Sequence, residues 1–139
     1  MPENNFIMRI MHLRKALRRE FEEQAAALDI TASQMQVLKR LWIGDGIATS
    51  VLTQEAGSDG GTVTGVLDRL ECRGLIRRER STQDRRSVQI WLTPEGRALE
   101  KPLKDIVAGI NEQALEGLSD EQKQLLMQTL EKVGRNLNE

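Results

Sequence analysis

At 139 residues the chain is one domain-sized unit, long enough to bury roughly two-thirds of its unfolded surface. Its composition, 39% hydrophobic and 29% charged with a net charge of −1, is that of a globular protein and excludes a disordered one. One cysteine excludes an internal disulfide, and one histidine with no tyrosine leaves little for a metal site or a nucleophile–base pair, so neither catalysis nor a cofactor is expected.

No apolar run approaches the length of a membrane span. The start, MPENNF, lacks the basic and apolar regions of a signal peptide, so a cytoplasmic protein with no membrane partner is expected. Along the first segment Phe6, Ile10, Leu13, Leu17, Phe21 and Leu28 recur at helical spacing and form one apolar stripe. A stripe of that length near a terminus needs a partner surface. Arg14, Lys15, Arg18 and Arg19 precede Glu20, Glu22 and Glu23, and internal pairing accounts for them better than a polyanion does. His12 reads as a surface or crevice residue, not a metal ligand.

Thr31-x-x-Gln34 is a capping box that opens a second helix, with Met35, Leu38, Leu41 and Trp42 facing inward. Gly44-Asp45-Gly46 closes it as a turn. Thr49 or Ser50 caps a short third helix carrying Val51, Leu52 and Ala56 and stopped by Gly57. A fourth helix is expected over 58–73. Val63, Val66, Leu67 and Leu70 line one face, Ser58 or Asp59 caps the start, and Gly74 supplies the left-handed residue that ends it. Two β-like runs follow, 75–80 and 87–92, the second alternating Val88, Ile90 and Leu92 against Gln89 and Trp91. The polar loop between them ends in Asp84-Arg85-Arg86. Short helix, glycine turn, second helix, two-stranded ribbon: the pattern is a helix-turn-helix with a wing, in a fold that is mainly α with a small β-wing.

Thr93-Pro94-Glu95 starts a further helix, with a capping threonine, proline at the first helical position and an acid near the positive end. It continues through Leu99, Leu103, Ile106, Val107 and Ile110 to about Leu118, and Pro102 inside it removes one backbone bond and bends it. Ser119-x-x-Gln122 opens the last helix, where Leu126, Leu130, Val133 and Leu137 form another stripe. Both ends of the chain thus carry more apolar face than one winged unit can bury. Packing them against each other and against a second copy solves this. Residues 1–30 and 93–139 then serve dimerisation and 31–92 binds DNA.

Charge agrees. Between Arg69 and Arg86 lie seven arginines (Arg69, Arg73, Arg77, Arg78, Arg80, Arg85, Arg86), no lysine and three acids (Glu71, Glu79, Asp84), a net +4 in a chain of net −1. A near-neutral protein that gathers its positive charge on one ribbon has a face for a polyanion. Arginine's planar fork suits phosphates and guanine edges. A helix followed by an arginine-tipped ribbon fits a duplex, one part in the major groove and the other in the minor groove beside it.

With these residues in order, the chain resembles the MarR family of winged-helix transcriptional regulators. The resemblance rests on Gln34-x-x-Val37-Leu38-x-x-Leu41, on Gly61-Thr62-Val63-Thr64 with Asp68-Arg69-Leu70-Glu71, on Gly74-Leu75-Ile76-x-Arg78, on the wing signature Asp84-Arg85-Arg86, and on Leu92-Thr93-x-x-Gly96. It implies a homodimer whose N- and C-terminal helices interlock and present two winged units to a pseudo-palindromic operator. It also implies a regulator, more often a repressor, released by a small phenolic or lipophilic acid or by an oxidant acting near the domain junction. By the same resemblance Thr62 and Thr64 lie at the groove-facing side of the fourth helix, Ser58 and Gly61 belong to the same DNA-binding set, and Arg69 and Arg73 serve phosphates or local ion pairs. Arg85 and Arg86 belong to the wing, Arg86 enters the minor groove, and Asp84 holds the wing's arginines. An effector seat is suggested where the first helix meets the second, near Met11, His12 and Trp42.

Two positions depart from the family pattern. Residue 65 is glycine where relatives often have a long polar side chain, which weakens base readout there and lowers helix propensity by ~1 kcal/mol. The redox-sensing members keep their cysteine in the first helix, whereas Cys72 sits near the end of the fourth and reads as a small, partly buried filler. Two other function classes fit the same residues: an architectural DNA binder without effector, and a helical module whose winged unit binds protein.

Overall fold

The computed structural model describes residues 5–56 and 60–137. They form helices α1 (Phe6–Gln24), α2 (Ala32–Ile43), α3 (Thr49–Ala56), α4 (Gly60–Cys72), α5 (Pro94–Ala98), α6 (Glu100–Ala114) and α7 (Asp120–Asn136), and strands β1 (Ile47–Ala48), β2 (Ile76–Arg80) and β3 (Val88–Leu92). The chain divides into two compact units, Met1–Val107 and Ala108–Glu139. Among the described residues no helix is long and apolar enough to cross a membrane.

In the first unit, α1 is capped by Asn5, whose Oδ1 accepts the Met8 N–H at 3.2 Å. Both halves of the box at the start of α2 are made. Gln34 N–H donates to Thr31 Oγ1 at 3.2 Å, and Thr31 N–H donates to Gln34 Oε1 at 3.1 Å. Leu38, Leu41, Leu67, Leu70, Ile76, Ile90 and Leu103 are the largest fully buried side chains, drawn from α2, α4, the ribbon and α6. Of the internal pairing expected for Arg14, Lys15, Arg18 and Arg19, the pair Arg18–Glu22 is present at 3.5 Å. Glu22 also accepts the Ala32 N–H at 3.2 Å, tying α1 to the start of α2.

The sheet corrects the two-stranded expectation. It has three antiparallel strands in the order β1-β3-β2, because Ile47 and Ala48 pair with Ile90 and Gln89. β2 and β3 register Ile76 with Leu92, Arg78 with Ile90 and Arg80 with Val88. The turn before β1 is built for close approach. Gly46 has φ 75° and lies under the Trp91 ring, where a β-carbon would come within 2.7 Å of the indole. Asp45 accepts the Leu92 N–H at 3.0 Å and Arg97 Nη2 at 2.9 Å, pinning that turn to β3 and α5.

The helix expected from Pro94 onward is broken at Leu99 into α5 and α6. Pro102 has no N–H, and its ring conflicts with the carbonyl four residues back, at Ala98. The chain therefore restarts, and Pro102 falls in the first turn of α6. In the second unit the Ser119–Gln122 box opens α7 with both bonds made, at 3.1 and 2.9 Å. The outward residues of α7 include Leu125, Leu126, Met127 and Leu130.

Candidate nucleic-acid interface

Helix α4 buries Val63, Val66, Leu67 and Leu70 and packs through them against α2, α3 and β2. Its end is closed twice over. Gly74 takes φ 71°, its N–H donates to Glu71 O at 2.9 Å, and Leu75 N–H donates to Leu70 O at 3.0 Å. The chain therefore enters β2 at a fixed point. With about 100° per residue, the line opposite the buried stripe runs through Gly61, Gly65, Asp68 and Cys72. Thr64 lies on one flank of that line, and Thr62 and Arg69 lie on the other. Both threonines are exposed, but they bracket the outer face and do not share one side. Ser58 lies outside the described residues, as do the expected Gly57 stop and the Asp59 cap.

Cys72 is exposed, which overturns its reading as a partly buried filler. It falls on the outer line of α4, opposite the buried stripe.

Four of the seven arginines have internal partners. Arg73 donates through Nη2 to Leu28 O at 2.9 Å and through Nη1 to Asp29 O, so it anchors the end of α4 to the turn after α1. Arg77 pairs with Glu79 and lies 5.7 Å from the centre of the Trp91 ring. Arg78 reaches from β2 back to α4, with Nη2 at 2.7 Å from Asp68 Oδ1 and Nη1 at 3.3 Å from Glu71 Oε1. Arg80 Nη1 donates to Arg85 O at 2.8 Å. The exposed guanidiniums of Arg69, Arg85 and Arg86 meet no carboxylate or carbonyl among the described residues.

The ribbon tip is ordered by short side chains. Buried Ser81 accepts the N–H groups of Gln83 and Asp84 on its hydroxyl, at 3.2 and 3.3 Å, and its own N–H donates to Ser87 O at 2.9 Å. Asp84 Oδ1 accepts the Arg86 N–H at 3.0 Å. Asp84 therefore holds Arg86 by its backbone and leaves the guanidinium free to reach outward. A crevice of about 330 Å³ lies between helix and ribbon, lined by Thr49 and Ser50 at the start of α3, Thr64 and Asp68 of α4, and Arg78 and Arg86 of the ribbon.

The three residues suggested for an effector do not line this crevice. Met11 and His12 are exposed on α1, and Trp42 is half-buried with its Nε1 donating to Gly96 O at 3.0 Å. A further crevice is a charged groove along Arg97, Lys101, Lys104 and Asp105. Inspection of the sequence missed the Asp68–Arg78–Glu71 cluster. Its one local sign is the spacing of Asp68 and Glu71, three residues apart and hence one turn apart on a helix.

Comparison with known proteins places this geometry. A family model described as MarR family matches residues 30–88. The transcriptional regulator HosA of Escherichia coli O111:H- is 34% identical over 76% of this chain and 78% of its own length. The organic hydroperoxide resistance transcriptional regulator of Bacillus subtilis is 31% identical over 92% of this chain and 90% of its own. Among solved structures, a mutant MarR from Escherichia coli complexed with operator DNA superposes with a TM-score of 0.83 at 28% identity, covering 95% of this chain and 96% of that one.

Proposed function

The chain belongs to the MarR family of transcriptional regulators, and on that premise we propose that two copies bind one DNA duplex. Each copy lays α4 in a major groove and its ribbon tip in the minor groove beside it. The observation that carries this reading is the shared crevice: Thr64 of the helix and Arg86 of the ribbon line the same concavity, so both readers meet a duplex from one side. The operator complex of the Escherichia coli relative supports DNA as the ligand.

The pairing of copies is supported by apolar surface. Phe6, Ile7, Met11 and Leu13 of α1 and Leu125, Met127 and Leu130 of α7 are all exposed on the single chain, Ile7 and Leu125 each at 64%. Helices that each expose several large apolar side chains mark interaction sites. A second copy covers them, with 1–30 and 93–139 as the dimerisation segments and 31–92 as the DNA-binding segment. A twofold dimer asks for a pseudo-palindromic operator whose half-sites are centred about one helical turn apart.

Occupancy of such an operator represses the gene behind it, in the cytoplasm. Release follows when a small phenolic or lipophilic acid binds at the α1 face near Met11 and His12, where a second copy closes over them. A coupling typical of allostery lowers DNA affinity by about 5–150-fold.

Selection of bound fragments from random duplexes tests the reading. Enriched sequences are expected to carry two inverted half-sites about one turn apart. Enrichment without dyad symmetry, or none, contradicts it.

A further inference from the structure

We propose that Arg78 is the positioning residue that sets the wing's attitude to the recognition helix, and thereby the reach from Thr64 to Arg86. This rests on reading the chain as a duplex binder. The ribbon is held by the turn at Gly74, by the buried Ile76 and Ile90 and by β1 on the β3 edge, which leaves the attitude of the β2 edge to α4 to one further attachment. Arg78 supplies it. Midway along β2, with its side chain 27% exposed, it spreads its two terminal nitrogens over Asp68 and Glu71 on successive turns of α4. A planar fork across two carboxylates one turn apart fixes the strand both along and across the helix; an ammonium, as a point charge, does not.

The strut continues outward. Arg80, two residues on and therefore on the same face of β2, holds the carbonyl of Arg85, so the loop bearing Arg85 and Arg86 is tied back to the strand that Arg78 anchors. Charge assigns Arg78 this role and not a phosphate contact. One guanidinium lies between two carboxylates, so the cluster as a whole offers no positive charge to a polyanion. Asp68 also stands on the outer line of α4, and the bond to Arg78 keeps its carboxylate from repelling phosphates there. Pairs this exposed contribute little to folding stability, so the cluster's effect shows in DNA recognition.

Arg78→Lys in the full chain is the test, with operator duplex and random duplex titrated over a series of salt concentrations beside a thermal melt. Expected is a fall of about tenfold in the ratio of operator to random-duplex affinity, with the salt slope unchanged and the melting temperature moved by only a few degrees. In an Arg86→Ala background the same substitution costs little more, since the aimed side chain is already gone. The double variant Asp68→Ala, Glu71→Ala removes the acceptors, keeps Arg78 and lowers the ratio by a similar factor. A salt slope reduced by about one per lost contact, full additivity with Arg86→Ala, a wild-type ratio, or in both variants a loss that tracks a collapse in melting temperature overturns the proposal. Wild-type protein that binds no duplex overturns the parent reading instead.

Discussion

Arg73 donates to the carbonyls of Leu28 and Asp29, whereas Arg86 extends from the ribbon tip with its N–H held by Asp84 and its guanidinium unpartnered among the described residues. The two charges are equal and their consequences are not. Arg86→Ala is expected to weaken duplex binding and flatten its dependence on salt by about one unit of log–log slope per contact, about two for a dimer, with the melting temperature unchanged. Arg73→Ala should do the reverse, leaving the slope alone and lowering stability by about 1 kcal/mol in a denaturant titration, a value reduced for exposure. The positive charge of this stretch was legible in the sequence, but its division was not. Arg73 meets carbonyls 44 and 45 residues away, and only the fold brings them together. Cys72 was misread for a different reason. Its angle on α4 puts it opposite Val63, Val66, Leu67 and Leu70, and a helical wheel alone assigns it to the exposed side.

At the scale of elements, the junction between the winged unit and α5 is the most tightly specified part. Thr93 donates its hydroxyl to Gly74 O at 2.6 Å and caps α5 by accepting the Gly96 N–H at 3.1 Å. Trp42 Nε1 bonds the Gly96 carbonyl from the other side. A β-carbon on Gly96 would overlap the Leu75 carbonyl oxygen, a backbone atom with no rotamer to yield. Gly96→Ala should therefore cost about 1–3 kcal/mol, measured by denaturant unfolding, and Gly65→Ala, which meets open space, should cost nothing and raise helix propensity. Local signals carried this far: both capping boxes, the glycine end of α4 and the proline start of α5 are chemistry within four residues, and the structure has them all. β1 escaped because two residues make it a strand only through Ile90 and Gln89, more than forty positions on. The break at Leu99 was half visible, since Pro102 announced a disturbance without saying whether the helix bends or restarts.

For the whole molecule, the exposed apolar residues of α1 and α7 are the feature a lone chain leaves unexplained. Leu130 is 42% exposed in the single chain, so Leu130→Asp should leave each copy folded while sedimentation shows dimers giving way to monomers. A stable dimer in that variant removes α7 from the interface. A twofold dimer would also multiply charge: of the seven arginines from Arg69 to Arg86, the three without a carboxylate or carbonyl partner among the described residues, Arg69, Arg85 and Arg86, become six. The most direct single measurement is therefore the affinity of the wild-type protein for its selected operator as a function of salt. A straight log–log line with a slope of about −5 is the expected result, from six neutralised contacts at about 0.9 each. A slope near zero, or no binding at low salt, contradicts the assignment of this face to DNA.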